Sequence, residues 1–150
     1  MKQIASITTL TLIAAAAMAD AAPAVAPASA WTQSGNLALS SNYIWRGVSQ
    51  NDDKVALQGG FDVAHTSGLS AGVWASNIQQ KFSAKDANLE LDIYANYGFK
   101  VSNIDLSVGY IAYIYQGISA NNFSELNIAA TYAGVTAKVS KEIANGNNTG

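Results

Sequence analysis

Three observations place the chain in the all-β class, as a transmembrane antiparallel up-and-down β-barrel of the outer-membrane type. Apolar and polar residues alternate with period two from Asn36 almost to the end. Half-buried strands do this, because successive side chains point to opposite faces. The alternating segments run about 9–12 residues, longer than the globular mode of about 5–6 and close to the roughly 9–11 that a tilted strand needs to cross a bilayer. Charged residues make up 12% of the 150-residue chain, against roughly 25% in a typical soluble domain.

Residues 1–30 precede the alternation. Lys2 supplies a positive start, and residues 4–17 (IASITTLTLIAAAA) form an apolar run of signal-peptide length, too short to span a bilayer. Small-x-small cleavage sites stand at Ala17-Met18-Ala19 and Ala28-Ser29-Ala30, with an arm between them holding Pro23 and Pro27. The predicted organisation is a signal peptide and Ala/Pro arm over 1–30 and the barrel over 31–150.

Seven strands are predicted. Segment 36–46 sets Leu37, Leu39, Tyr43 and Trp45 against Asn36, Ser40, Asn42 and Arg46. In 54–65, Val55, Leu57, Phe61 and Val63 oppose Gln58, Gly60 and Asp62. Segment 69–78 sets Leu69, Ala71, Val73 and Ala75 against Ser70, Gly72 and Ser76. Its Trp74 falls on the polar side, which implies either that it fills the interior or that a bulge shifts the register. In 89–97, Leu89, Leu91, Ile93 and Tyr97 oppose Glu90, Asp92 and Asn96. Segment 104–115 sets Ile104, Leu106, Val108, Tyr110 and Ile114 against Asp105, Ser107 and Gly109. Leu126, Ile128 and Tyr132 oppose Glu125, Asn127 and Thr131 in 123–132. Segment 135–142 sets Val135, Ala137 and Val139 against Thr136, Lys138 and Ser140. No proline interrupts a strand, as ladder pairing requires, and no segment carries a helical period.

The connections alternate in length. GVSQNDD, QQKFSAKDA and QGISANN are long; TSG, FKVS and AG are short. Long external loops and short periplasmic turns are the pattern of an outer-membrane barrel. The apolar face carries no charge before Lys141, whereas the polar face is rich in small residues and modestly charged. A solvated surface would hold more Lys and Glu; a crowded barrel interior favours small polar groups. The expected arrangement is therefore apolar face to lipid and polar face to a lumen. Asp62, Glu90, Asp92, Asp105, Glu125 and Lys138 would line that lumen, with Arg46 near its rim. Tyr43 and Trp45 are expected at the external interface, Tyr97 and Tyr132 at the periplasmic one. A secreted β-sandwich or lipocalin-like barrel shares the alternation; low charge, strand length, loop alternation and terminal aromatics weigh against it.

Several chemistries are excluded or weakly supported. With no cysteine and a single histidine, disulfides, structural zinc, thiol nucleophiles and multi-histidine sites drop out, and no metal or cofactor is expected. A net charge of −2 argues against nucleic acid. Glu90 and Asp92 are spaced as a carboxylate pair, but neighbouring charges on a lumen wall explain them more simply. His65 and Ser67 sit at a tight turn without a third group, so no catalytic residue is assigned. Asp52-Asp53 read as a solvated loop without EF-hand spacing, and Gly59-Gly60 as close packing or a bend within a strand.

The stretches GNLALSSNYIWRGVSQ, KVALQGGFDVAHTSGLSAGVWASN, LELDIYANYG, LSVGYIAYIY and FSELNIAATYAGVTAK resemble the TorF-family porins of Gram-negative bacteria, catalogued as Gcw_chp. The resemblance covers residues 35 to 138. Arg46-Gly47-Val48-Ser49-Gln50 followed by Leu57-Gln58-Gly59-Gly60-Phe61-Asp62 is its most specific part. It implies an outer-membrane barrel serving as a pore, and carries no catalytic residue across. Such barrels close with an even strand number, so seven strands imply a C-terminally truncated fragment with two open edges. The functional expectation is passive diffusion of small solutes, cation-leaning because of the acidic lining. The alternative is a non-conducting structural or adhesive barrel whose external loops bind a partner. Expected partners are outer-membrane lipid, lipopolysaccharide, the assembly machinery and small solutes.

Overall fold

The structure is a computed structural model and describes residues 29–82 and 85–145. The signal peptide expected over 1–30 lies almost wholly outside the described residues. Among the described residues nine strands appear in chain order: β1 (Trp31–Ser40), β2 (Ile44–Trp45), β3 (Val48–Ser49), β4 (Ala56–His65), β5 (Leu69–Phe82), β6 (Lys85–Val101), β7 (Ile104–Tyr115), β8 (Phe123–Tyr132) and β9 (Val135–Asn145). Seven of them form one antiparallel sheet in the order β1-β4-β5-β6-β7-β8-β9, and β2 pairs only with β3. Among the described residues the sole helical element is a single 3-10 turn, Ser119–Asn121. None of their helices is long and apolar enough to cross a membrane, which says nothing of strands. No pairing joins β1 to β9, so the fold is an open-edged sheet rather than a closed barrel.

Three expected boundaries need correction. The first strand begins at Trp31 and ends at Ser40, not at Arg46. Its register against β4 runs from Trp31↔His65 to Ser40↔Ala56. Beyond Ser40 the polar side chains of the loop bond to one another and to loop backbone, which competes with strand pairing. Ser49 donates to Asn42 Oδ1 (2.8 Å), and the Tyr43 N–H to Asn51 Oδ1 (3.1 Å).

Of the expected long loop QQKFSAKDA, residues 80–82 and 85–87 instead extend the strands, pairing Gln80↔Ala87, Lys81↔Asp86 and Phe82↔Lys85 after a register shift between Asn77 and Gln80. Backbone ladders do not depend on side-chain polarity, so a polar run extends a hairpin as readily as it makes a loop. The short FKVS connection is shorter still, because β6 continues to Val101 and only Ser102 and Asn103 turn. Phe99 and Val101 keep the alternation going, both exposed on the apolar side.

The seven-strand register carries the apolar side chains into continuous cross-strand rows. One runs Phe61, Val73, Ile93, Ala112; another runs Leu69, Tyr97, Val108, Ile128, Val139. This face is exposed: Leu37 is 60%, Leu57 55% and Ile128 65% accessible. The carboxylates opposite are not, with Glu90 at 2%, Asp92 at 7% and Glu125 at 4%. The sheet is thus inside out relative to a water-soluble one. The buried cluster Ile78, Ala87, Tyr113, Tyr115 and Ile118 sits at the loop end of the sheet.

Candidate functional site

The loop between β1 and β4 covers the loop end of the polar face. Its core is the micro-hairpin β2–β3, turned by Arg46 (φ 48) and Gly47 (φ 85). Positive φ at both central residues is the backbone of a type I′ turn, in which glycine at the second position is unstrained. The base of the hairpin is tied down. Asn51 is 1% exposed, and its amide donates to the Lys54 carbonyl. The Gln50 N–H donates to the Tyr43 carbonyl (2.7 Å), and the Gln79 N–H to the Gln50 carbonyl (2.9 Å). The Asp53 N–H donates to Ser49 Oγ (2.9 Å).

From that base, three side chains reach across the sheet. The Tyr43 hydroxyl donates to Glu90 Oε1 (3.0 Å), and its ring meets Trp74 edge-on at 5.3 Å. Trp45 packs edge-on against Tyr113 (6.0 Å) and Phe123 (6.2 Å). Arg46 lies over the Trp45 ring at 4.2 Å and pairs with Glu125 at 2.8 Å. Glu125 belongs to β8, four strands from β4 in sheet order, a span of about 19 Å at ~4.8 Å per strand in a flat sheet. The micro-hairpin therefore crosses the polar face. Burial, then the neighbouring Glu90 charge, push the Tyr43 phenol well above its ordinary pKa, so it stays a proton donor.

The structure draws only some of the expected lining residues together. Glu90, Asp92 and Glu125 lie under the micro-hairpin. Asp62 accepts a hydrogen bond from Tyr94 Oη (2.6 Å) across the intervening β5. Gly72 lies between them, and a Cβ there would sit 2.6 Å from Asp62 Oδ1 and 2.7 Å from the Tyr94 ring. Asp105 pairs with Lys100 (3.0 Å) at the turn end, both exposed. Lys138 is exposed on β9 opposite Ala129. Arg46, expected at the rim, instead reaches over the face.

The interface aromatics divide in the same way. Tyr97 and Tyr132 stand exposed on the apolar face at the turn end, where Trp31 and Phe99 join them. Tyr97 and Phe99 stack at 5.8 Å. Tyr43 and Trp45 are not on the apolar face, because β1 has already ended and the loop turns them onto the polar face. Trp74 lies on the polar face with unbroken register around it, so it fills that side and no bulge is involved. It sits opposite Gly60, where a Cβ would come 2.8 Å from the Val73 carbonyl oxygen; Gly59-Gly60 is thus close packing.

The expected reading of His65 and Ser67 as turn residues matches their geometry. His65 Nδ1 contacts Ser67 Oγ (2.9 Å) and accepts the Ser67 N–H (3.1 Å), and its ring leans on Trp31 at 4.6 Å. Among the described residues no group of three or more His, Asp or Glu is arranged to hold a metal ion. Two carboxylate oxygens stand out: Glu90 Oε2 and Asp92 Oδ1 are buried without a hydrogen-bond partner.

Sequence reasoning missed the Arg46–Glu125 pair and the aromatic bed of Tyr113, Tyr115 and Phe123. A signal existed for the bed. From Tyr110 to Tyr115 the chain reads YIAYIY, apolar at both parities, as expected where a strand has dry neighbours on both faces.

Residues 24–148 match the family Gcw_chp, described as a bacterial protein of unknown function, and the chain belongs to that family. No curated protein and no solved structure matches it.

Proposed function

We propose that this Gcw_chp protein forms the wall of an outer-membrane β-barrel that admits small solutes by passive diffusion, its mouth narrowed by the loop between β1 and β4. The observation that carries this reading is the inverted sheet: Ile128 is 65% exposed while Glu90 is 2% exposed. Soluble monomers rarely expose apolar patches larger than a few hundred Å², and here the apolar face spans seven strands. Lipid turns that face from a liability into the outer wall. On β7, Ile104 to Ile114 spans about 34 Å at ~3.4 Å per residue, or about 26 Å of height at a tilt of ~40°, near the ~25 Å apolar band of such barrels. The turn-end aromatics Trp31, Tyr97, Phe99 and Tyr132 suit one membrane interface, and the resemblance to TorF-family porins supports the pore.

The cation preference rests on fewer groups than the sequence suggests. Arg46 offsets Glu125 and Lys100 offsets Asp105, which leaves Asp62, Glu90 and Asp92 against Lys138. A second reading, a non-conducting barrel whose loops bind a partner, is favoured by the way Trp45 and Tyr43 fill the loop end.

Planar-bilayer conductance of the refolded protein under a salt gradient separates the two. Stable steps with a cation-leaning reversal potential are expected, and Asp62→Asn, at the half-buried acid outside the loop's cover, should reduce the lean. A folded barrel without steps overturns the pore and leaves the loops as the working surface. The membrane assignment has its own test. Ile128→Lys should cost about 2–4 kcal/mol of folding stability in bilayers, as charges on a lipid-facing wall do, while Asn127→Lys on the other face should cost much less. Equal effects would overturn it.

A further inference from the structure

We infer that Glu90 and Asp92, roofed by Tyr43, form a binding site for one divalent hard cation at the loop end of the polar face. The two side chains stand two residues apart on the same face of β6, with Cα atoms about 7 Å apart by the strand repeat. Ser76 and Trp74 flank them on β5, Tyr115 and Tyr113 on β7, each directly opposite in register. Both carboxylates are more than nine-tenths buried.

Among the described side chains no base compensates the site's charge. Glu90 Oε1 takes the Tyr43 hydroxyl, but Glu90 Oε2 and Asp92 Oδ1 take nothing. No described Lys or Arg forms an ion pair with either residue, and Arg46, the cation on the covering loop, is committed to Glu125. Buried carboxylates persist only when neutralised, by a proton or by a cation. Two buried, unpartnered carboxylate oxygens on neighbouring positions of one strand face are ligands that a hard, oxygen-seeking cation uses. With both carboxyls ionised the pair would carry two negative charges, which a divalent ion balances. Ser76 donates its hydroxyl proton to the Asn77 carbonyl, so its lone pairs remain available as a further oxygen ligand. With two carboxylates rather than a full cage, the ion keeps several waters and binds weakly and exchangeably. Tyr43 makes the loop the lid of the site, and nothing here requires that the barrel conduct.

The test uses the full chain refolded in detergent. Tb³⁺, an oxygen-seeking surrogate for Ca²⁺, should show luminescence sensitised by the adjoining Trp74 and Tyr43, and CaCl₂ should displace it. Glu90→Gln and Asp92→Asn should each weaken Tb³⁺ and Ca²⁺ binding about tenfold or more. Both variants remove charge from a buried place, so they should fold, which heat-modifiable gel mobility checks. Asp105→Asn, on the exposed turn-end pair, should bind as wild type does. Absence of saturable Tb³⁺ and Ca²⁺ binding in the wild type overturns the site, as does binding that survives in both Glu90→Gln and Asp92→Asn. Binding without conductance would sink the pore and keep the site; conductance without binding would do the reverse.

Discussion

The loop end and the turn end of the polar face are built from the same strands and differ in almost everything else. At the loop end, Trp74, Tyr113, Tyr115 and Phe123 make an aromatic floor, Tyr43 and Trp45 close down on it, and Glu90, Asp92 and Glu125 are buried. At the turn end the floor is Ser70, Asn96, Gly109, Asn127 and Ser140 in adjoining register, and the charged pair Lys100–Asp105 stands in the open. A carboxylate on this sheet is therefore not buried by its strand. It is buried by the loop that lies over it, so the same residue type is costly at one end and cheap at the other.

Removing single contacts at the two ends should expose that difference, with urea unfolding in lipid vesicles as the common measurement. Arg46→Ala should have the largest effect, about 2–3 kcal/mol, because it leaves Glu125 buried without its counter-charge; the exposure of the Arg46 side chain keeps the loss below that of a fully buried pair. Adding Glu125→Gln should recover part of it. If the double variant is no better than the single, the pair is not what latches the hairpin. Tyr43→Phe should follow at about 1.5–2 kcal/mol, since it takes away the one hydrogen bond Glu90 has among the described residues. Tyr94→Phe, which frees a half-buried Asp62, should cost about 1 kcal/mol. Lys100→Ala should cost least, about 0.5 kcal/mol or below, because both partners face solvent. A turn-end loss as large as that of Arg46→Ala would erase the contrast. Single-channel recordings sharpen it from the other side: Arg46→Ala should raise conductance if the micro-hairpin is the constriction, whereas Lys100→Ala should leave it unchanged.

Much of the fold was legible from alternation alone. Three strand assignments, 104–115, 123–132 and nearly all of 54–65, coincide with β7, β8 and β4. The parity of Leu91, Ile93, Glu90 and Asp92 correctly separated the two faces. Boundaries failed where alternation continued past the true end of pairing. Tyr43 and Trp45 keep period two with Leu39, yet β4 has no residue left to pair with them. Residues 79–87 read as a loop, but 80–82 pair with 85–87. Neither outcome is a property of the segment itself. Each depends on which partner strand is still alongside.

The candidate site divides along the same line. Amino-acid order by itself determined which side chains share a face, because the two-residue repeat is local geometry. It therefore determined the acidic positions Asp62, Glu90, Asp92 and Asp105 and the apolar rows opposite them. Tertiary structure alone decided which of those acids would be buried, paired or left bare. That outcome rests on contacts between residues far apart in the chain, Tyr43 with Glu90 and Arg46 with Glu125. A repeat of two carries no information about where a loop lands once its strand has ended.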